Sequence, residues 1–243
     1  MALLKCTHYA ETLSMNCDFY AVLPENAVAP YKTVYLLHGL SDNSTCWLRY
    51  TSCERYAKAN NLALIMPDGG RSFYTDMKKG SKYYSYLTEE LPVQCERFFP
   101  SLSTKREDRF IAGLSMGGYG ALKAALNSNL FSKCAAFSAV TDIKARMNTK
   151  DRRSFFEDIF GTEEEFTNSI NDIYFTAKEK TTDKPQIFMS CGTEDELYKE
   201  NLDFYKHLIS LGYDIKSLRQ TGGHTWDNWD TACEIAFKWF LEV

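Results

Sequence analysis

The 243-residue sequence predicts an α/β fold, in which a mainly parallel sheet is covered by helices on both faces. Short apolar runs typical of buried strands alternate along the chain with segments whose apolar residues recur at helical spacing. Strands that alternate with helices pair in parallel, because each helix carries the chain back across the sheet. The composition, with 44% hydrophobic and 25% charged residues, is that of an ordinary globular protein.

The predicted elements follow one another in a regular order. The strands are Met15–Leu23, Thr33–Leu37, Leu62–Met66, Arg109–Ala112, Lys133–Ser138, Gln186–Cys191 and Asp214–Arg219, and the helices are Cys46–Asn60, Glu89–Phe99, Gly117–Asn127, Tyr198–Leu211 and Trp229–Leu241. The stretch from about residue 3 to 23 has no helix and is expected to add antiparallel strands at one edge. We expect a single domain over 1–243, with a small helical insertion at about 141–184 that lies over the carboxyl ends of the strands.

Charge and cysteine content exclude several classes of protein. The formal charge of −4 gives no basic surface for nucleic acid, and the short basic run Lys78–Lys82 is typical of a solvated loop. The sequence contains no apolar run long enough for a membrane span and no visible export signal, so we expect a cytoplasmic protein. Eight dispersed cysteines without a CxxC pair favour free thiols, with a disulfide framework as the alternative. No metal or cofactor is expected, and a homo-oligomer is left open.

The strongest chemical motif is a glycine-flanked serine between a strand and a helix. Ser115 lies in the stretch Gly113-Leu-Ser-Met-Gly-Gly-Tyr-Gly120, which follows an apolar run and opens an Ala- and Leu-rich helix. A nucleophilic serine on a sharp strand-to-helix turn needs very small residues two positions before and after it. The alternative is a phosphate-binding turn, but the sequence has neither a P-loop lysine nor a GxGxxG motif. We therefore predict a nucleophile elbow.

A serine nucleophile needs a base, and the sequence offers four histidines. His8 lies in the edge segment and is predicted to be a surface side chain, whereas His207 lies inside a predicted helix. His38 ends a strand, and it remains a rival base that chain order disfavours. His224 lies in a glycine-rich loop directly after the last predicted strand, so we predict that it is the base.

A carboxylate is expected to orient the base, on a loop that comes between the serine and the histidine in the chain. Three acidic residues follow Gly192, at the end of a predicted strand: Glu194, Asp195 and Glu196. Asp195 is the predicted partner of the base, and its two neighbours are the alternatives.

An oxyanion hole requires two backbone N–H groups. The residue after the nucleophile, Met116, supplies one of them. The loop His38-Gly-Leu-Ser-Asp-Asn43 is predicted to supply the other from Leu40, while His38 forms a hydrogen bond that shapes this loop.

These motifs together resemble the esterase branch of the α/β-hydrolases, which includes tributyrin esterases, S-formylglutathione hydrolases, and acetylxylan and feruloyl esterases. The similarity rests on Tyr35-Leu-Leu-His-Gly-Leu-Ser-Asp-Asn-Ser44, Ile65-Met-Pro-Asp-Gly69, the serine motif, Cys191-Gly-Thr-Glu-Asp195 and Gly223-His-Thr-Trp226. It is strongest to short bacterial tributyrin esterases and covers nearly the whole chain. The resemblance implies an α/β-hydrolase fold, a triad of Ser115, Asp195 and His224, and oxyanion donors at Leu40 and Met116.

The expected activity is hydrolysis of short acyl esters, acetyl to butyryl, through an acyl-serine intermediate. The alternatives are a carbohydrate acetyl or feruloyl esterase, an S-formylglutathione hydrolase or acyltransferase that uses the same residues, and a catalytically inert binding module. The substrate is expected to be a small-molecule or oligosaccharide ester.

Aromatic residues near the motifs are candidates for contact with the substrate. Trp47, Tyr74 and Trp226 are predicted to bind it, and Phe73 is expected to help narrow a short acyl pocket. Trp229 is instead expected to belong to the core.

Overall fold

The computed structural model describes residues 1–242 and contains an eight-stranded sheet in the order β1-β2-β4-β3-β5-β6-β7-β8. The strands are β1 (Ala2–Ala10), β2 (Met15–Leu23), β3 (Thr33–Leu37), β4 (Ala63–Pro67), β5 (Arg109–Leu114), β6 (Lys133–Phe137), β7 (Gln186–Gly192) and β8 (Ile215–Gln220). Strands β3 to β8 pair in parallel, whereas β1 and β2 form an antiparallel edge. The predicted α/β architecture is therefore confirmed.

Helices connect the strands and cover the sheet. They are α1 (Cys46–Tyr50), α2 (Cys53–Asn60), α3 (Tyr83–Ser85), α4 (Leu91–Phe98), α5 (Met116–Asn127), α6 (Ile143–Met147), α7 (Arg153–Phe160), α8 (Glu163–Phe166), α9 (Ile173–Glu179), α10 (Tyr198–Ser210) and α11 (Trp226–Trp239). A π-helical turn spans Tyr86–Glu90 and a 3₁₀ turn spans Arg106–Asp108. Of the helices formed by residues 1–242, none combines the length and apolar composition needed to cross a membrane.

The two faces of the sheet each carry a hydrophobic layer. In β3, Tyr35 and Leu37 belong to the layer that contains α5, whereas Val34 and Leu36 belong to the layer of α2 and α11. A parallel strand covered on both faces is apolar at every position, and all of β3 is buried. This burial explains why the strand appears in the sequence as a continuous apolar run.

The predicted helix Cys46–Asn60 is wrong as one element, because it is broken between α1 and α2. Thr51 ends α1 in an extended conformation, with φ −133° and ψ 172°. Its hydroxyl donates to Trp47 O at 2.5 Å, and the next amide, of Ser52, donates to Asp230 of α11 at 2.8 Å. A carboxylate distant in sequence thus receives an N–H that a continuous helix would bond internally.

Two other predicted helix starts are corrected. Helical structure before α4 begins at Tyr83 rather than Glu89, and a π turn lies directly ahead of Pro92. The proline ring excludes an ordinary helical hydrogen bond at that point, so the backbone widens there. Helix α11 begins at Trp226 rather than Trp229, because Thr225 is the extended residue that starts it.

The segment between β6 and β7 contains the four short helices α6 to α9. Their aromatic side chains pack against the helix that follows Ser115. The Phe73 ring lies 5.4 Å from that of Phe156 and 5.8 Å from those of Phe160 and Tyr119. This cluster joins the α7 segment to α5 and to the loop after β4.

Candidate active site

Ser115 occupies a strained turn between β5 and α5. Its backbone has φ 52° and ψ −115°, a conformation that residues other than glycine rarely adopt. Three backbone hydrogen bonds hold it in place: its N–H donates to Phe137 O at 2.8 Å, and its carbonyl accepts from Tyr119 at 3.1 Å and Val140 at 3.2 Å. The turn is therefore fixed by β6 and by the loop after β6, as a nucleophile elbow requires.

Gly117 is required by the close approach of α5 to β3. A Cβ at this position would lie 2.6 Å from both Leu37 O and His38 O. Any side chain there would push the start of α5 away from the loop after β3. The small residue two positions after Ser115 therefore has a direct steric cause.

The Ser115 hydroxyl has no hydrogen-bond partner among residues 1–242 and is accessible to solvent. It makes no hydrogen bond within residues 1–242, and it is absent from the buried polar atoms that lack a partner in this part of the chain. Since the residue is only half-buried, the hydroxyl oxygen is reached by solvent.

Asp195 and His224 form a hydrogen-bonded pair. His224 Nδ1 lies 2.9 Å from Asp195 Oδ2, with the aspartate side chain fully buried and the imidazole 31% exposed. The other carboxylate oxygen accepts the Leu197 N–H at 2.8 Å. An ionised carboxylate only accepts, so Nδ1 carries the proton and Nε2 of the neutral ring is left as a base. Glu194 and Glu196 are both exposed, and the side chain of neither bonds His224.

The electrostatics of Asp195 suit this pairing. Burial by itself would raise its pKa, but hydrogen bonds from the His224 imidazole, the Leu197 amide and the Ser138 hydroxyl favour the ionised form more strongly. The pKa of Asp195 consequently lies below its ordinary value. The carboxylate is charged near neutral pH and can stabilise a positive imidazolium beside it.

The loops that carry Asp195 and His224 are joined by backbone hydrogen bonds. Thr193 N–H donates to Gln220 O at 2.9 Å, and Glu194 N–H donates to Gly222 O at 3.0 Å. These bonds extend the pairing of β7 and β8 beyond the last paired residues. The separation between acid and base is thus set by the sheet itself.

Ser138 lies beside the Asp195–His224 pair, and the sequence pattern assigns it no role. It follows β6, which lies between the strand that precedes Ser115 and the strand that precedes Asp195. Its Oγ accepts the indole N–H of Trp229 at 3.1 Å, and the Trp229 and His224 rings meet in a T-shaped arrangement with 4.8 Å between centroids. A polar residue at the end of an apolar strand was the signal that could have identified it.

The two predicted oxyanion donors lie at adjacent positions of the same sheet edge, after β3 and β5. Leu40 N–H donates to no acceptor among residues 1–242, and Met116 N–H, at the start of α5, precedes the first intrahelical bond. Neither amide is used by a backbone hydrogen bond among residues 1–242, so both stay candidates for the oxyanion hole.

The model of the family described as Putative esterase matches residues 10–234. The chain belongs to this esterase family. It is 31% identical over 264 residues to an acetyl esterase of Caldicellulosiruptor saccharolyticus, an alignment that covers 100% of this chain and 99% of that protein. The esterase is a carboxylic ester hydrolase of the serine hydrolase class.

Two solved structures from Staphylococcus aureus are similar over the full length of the esterase. One is substrate-bound FphF, a fluorophosphonate-binding serine hydrolase, with 34% identity, a TM-score of 0.92, and coverage of 100% of this chain and 99% of that chain. The other is the apoenzyme of the S-formylglutathione hydrolase FrmB, with 35% identity, a TM-score of 0.89, and coverage of 99% of each chain.

The remaining histidines of the esterase have structural partners. His38 is buried, with Nδ1 2.7 Å from Gly39 O and Nε2 accepting from Gly69 N–H at 2.8 Å, so both ring nitrogens are engaged. His207 Nε2 lies 3.1 Å from Tyr174 O on the flank of α10. The prediction that His8 is a surface side chain is wrong: the β1–β2 hairpin packs it beside Tyr86, with Nε2 3.0 Å from the phenol oxygen.

Two of the three predicted substrate-binding aromatics are corrected by their burial. Trp47 is completely buried, and its indole N–H donates to Leu37 O at 3.1 Å. Tyr74 is 2% exposed, and its hydroxyl accepts His38 N–H at 2.9 Å. Both rings support the loop after β3 instead of offering a surface. Trp226 is half-buried, packs on Tyr50 at 4.9 Å, and remains the candidate for substrate contact.

Phe73 and Trp229 are buried as well. Phe73 is 2% exposed inside the cluster of α5 and α7, and therefore limits the space there without forming an open wall. Trp229 is 6% exposed in the layer of α11, as expected of a core residue, although its ring also contacts His224.

Proposed function

We propose that the esterase hydrolyses short acyl esters through an acyl-enzyme formed on Ser115. The observation that carries this proposal is the 2.9 Å hydrogen bond between the buried Asp195 and His224, located at the same sheet edge as a strained serine with a hydroxyl left unbonded by residues 1–242. Neither feature stabilises the fold by itself, because the Asp195–His224 pair buries a charge and the Ser115 turn strains the backbone.

In the proposed mechanism, His224 Nε2 removes the proton of Ser115 as Oγ attacks the ester carbonyl. Asp195 holds the imidazole in the required tautomer and stabilises its positive charge. The N–H groups of Leu40 and Met116 stabilise the negative oxygen of the tetrahedral intermediate. His224 then gives its proton to the departing alcohol, which leaves an acyl group on Ser115. A water molecule, deprotonated by the same imidazole, hydrolyses this acyl-enzyme and restores the serine.

A short acyl group is supported by two observations. The similar protein from Caldicellulosiruptor saccharolyticus is named an acetyl esterase. In addition, the rings of Phe73, Phe156, Phe160 and Tyr119 fill the region between α5 and α7 by packing on one another. Each buried methylene is worth about 0.8 kcal/mol, so we expect the preference to rise from acetyl to butyryl. We infer that the packed rings beside α5 limit the acyl site, so activity should fall for longer chains.

A second candidate is S-formylglutathione hydrolysis, which the likeness to FrmB favours. A thioester carbonyl is attacked by the same serine and stabilised by the same amides. The formyl group is also the smallest acyl group, so it satisfies the same steric limit.

Covalent labelling tests the nucleophile. A fluorophosphonate probe is expected to add to the wild-type enzyme once, at Ser115, as identified by peptide mass spectrometry. Ser115→Ala is expected to lose the label and to lower kcat by about 10⁴–10⁶-fold. Ser210→Ala, at an exposed position on α10, is the control that keeps both. If Ser115→Ala kept a tenth of the activity, the proposed nucleophile would be wrong.

A substrate panel tests the specificity. One preparation is assayed with p-nitrophenyl esters from C2 to C8, feruloyl esters and S-formylglutathione. We expect the highest kcat/KM at C2 to C4. A maximum at C8 would refute the short pocket, and a kcat/KM for S-formylglutathione far above every ester would select the second candidate.

A further inference from the structure

His38 and Tyr74 are buried next to the proposed oxyanion hole, and the mechanism above uses neither. His38 is 1% exposed and Tyr74 is 2% exposed. A buried imidazole and a buried phenol need hydrogen-bond partners, and both find them in the loops that leave β3 and β4. His38 Nδ1 and the Tyr74 hydroxyl bond the backbone of residues 38 and 39, which leads to Leu40, whereas His38 Nε2 bonds the Gly69 N–H.

The hydrogen bonds of His38 define which nitrogen carries its proton. Nε2 accepts the Gly69 N–H at 2.8 Å, so it carries no proton in this arrangement. Nδ1 is therefore protonated and donates to Gly39 O at 2.7 Å. The Gly39 carbonyl also accepts the N–H of Asp42 at 3.2 Å. This carbonyl is consequently held from two sides.

The Gly39 carbonyl and the Leu40 N–H belong to the same trans peptide unit. In a trans peptide the C=O and N–H bonds are coplanar and point in opposite directions. A hydrogen bond that fixes the carbonyl toward the imidazole therefore fixes the amide away from it. The direction of the Leu40 N–H is set by a side chain that it never touches.

Tyr74 contacts the two peptide units on either side of His38. Its hydroxyl accepts the His38 N–H at 2.9 Å and lies 3.3 Å from His38 O. The loop that carries Tyr74 is itself held from α5, where Lys123 Nζ donates to Thr75 Oγ1 at 3.0 Å and lies 3.4 Å from Tyr74 O. The phenol thus connects the helix that follows Ser115 to the loop that bears the second oxyanion donor.

We infer that His38 and Tyr74 are positioning residues for the oxyanion hole, which act by fixing the plane of the Gly39–Leu40 peptide. This inference rests on the proposed function, because it takes Leu40 N–H as a donor to the oxyanion. It explains why an imidazole is needed at position 38 although this residue does not act as the base.

A matched pair of substitutions tests the role of His38. Asn at position 38 places an amide donor where Nδ1 lies and keeps the bond to Gly39 O, whereas Gln places an acceptor where Nε2 lies and keeps only the bond from Gly69. We expect His38→Gln to lower kcat by about 10²-fold, the usual cost of losing one oxyanion donor, and His38→Asn to retain most of the activity. KM for a butyryl ester should change little in either variant.

Binding of a trifluoromethyl ketone, which forms a charged tetrahedral adduct, gives a second readout. Its inhibition constant should rise in parallel with the loss of kcat/KM in His38→Gln. Tyr74→Phe, which removes one hydroxyl from a buried ring, should lower kcat about tenfold and carries the test if the His38 variants do not fold. His207→Gln is the control with unchanged kinetics.

Equal losses in His38→Asn and His38→Gln, or an unchanged inhibition constant, would overturn the inference while wild-type labelling at Ser115 still upheld the proposed function. A wild-type enzyme that was not labelled at Ser115 would instead refute the proposed function.

Discussion

Ser115 and Asp195 each carry a local energetic cost. A non-glycine residue in a sparsely populated backbone region costs on the order of 1–3 kcal/mol, and Ser115 has φ 52°. Asp195 is a fully buried carboxylate, with a desolvation cost that its hydrogen bonds offset. Both costs occur at residues of the proposed triad. The strained turn exposes Ser115 Oγ, and the buried Asp195 carboxylate orients the His224 base.

The three adjacent acidic residues after β7 provide a prediction with built-in controls. Asp195→Asn should lower kcat by about 10⁴-fold, because an amide can donate to Nδ1 and stabilise the wrong imidazole tautomer. Glu194→Gln and Glu196→Gln, at exposed positions, should leave kcat within about twofold, since surface changes rarely disturb a site they do not touch. Steady-state kinetics with a butyryl ester measure all three. A large loss in either glutamate variant would move the acid from Asp195 to that residue.

Among the elements, helix α5 is unusual because it is buried along nearly its whole length. Its residues from Met116 to Leu126 are all buried, which requires small side chains near the start and leaves Lys123 without water. The Lys123 ammonium meets Thr75 and the Tyr84 ring, at 4.7 Å, but no carboxylate within salt-bridge distance among residues 1–242. Burial lowers the pKa of Lys123 to about 7.

The lowered pKa of Lys123 predicts that the stability of the folded protein depends on pH. Between pH 7 and the ordinary lysine pKa of 10.5, the unfolded chain holds a proton that the folded protein has released. Stability therefore rises with pH in this window, by at most about 1.4 kcal/mol per pH unit from this group. The free energy of unfolding in urea should increase more from pH 7.5 to 9.5 in the wild type than in Lys123→Met. Parallel pH profiles of the two proteins would contradict the lowered pKa.

At the scale of the whole molecule, the parallel sheet gathers residues distant in the sequence. Ser115, Ser138, Asp195 and His224 follow β5, β6, β7 and β8, which are neighbours in that order. Because these strands run in one direction, all four residues emerge at one edge of the sheet. The same burial on both faces encloses the cysteines: all eight are free, and seven of them are buried.

The free cysteines can be counted by their reaction with a thiol reagent. Burial raises the pKa of these thiols, for Cys53 to about 11, so they are both shielded and protonated near neutral pH. Ellman's reagent should modify about one thiol of the native protein, the half-buried Cys6, and all eight in guanidinium chloride without reductant. Fewer than eight in the denatured protein would indicate a disulfide, which intact mass before and after reduction would confirm.

Residue patterns along the chain predict the order of the elements and the chemistry at their ends. Strand β3, covered on both faces, is a short and mainly apolar run, whereas the buried residues of β2 alternate with partly exposed ones; both patterns predict the observed bounds. Strand direction then implied that residues following successive strands share one edge. Chain order and local composition were enough to predict Ser115 on a tight turn and a His224–Asp195 pair.

The exposure of each side chain and its hydrogen-bond partners follow from the folded structure and not from the residue pattern. Thr51 ends a helix because Asp230, far along the chain, receives the next amide. Trp47 and Tyr74 have the composition of a binding surface, yet the packing of two loops buries them and uses their polar atoms internally. A sequence pattern records a residue's neighbours along the chain. Burial and hydrogen-bond partners depend on elements that meet only when the sheet has formed.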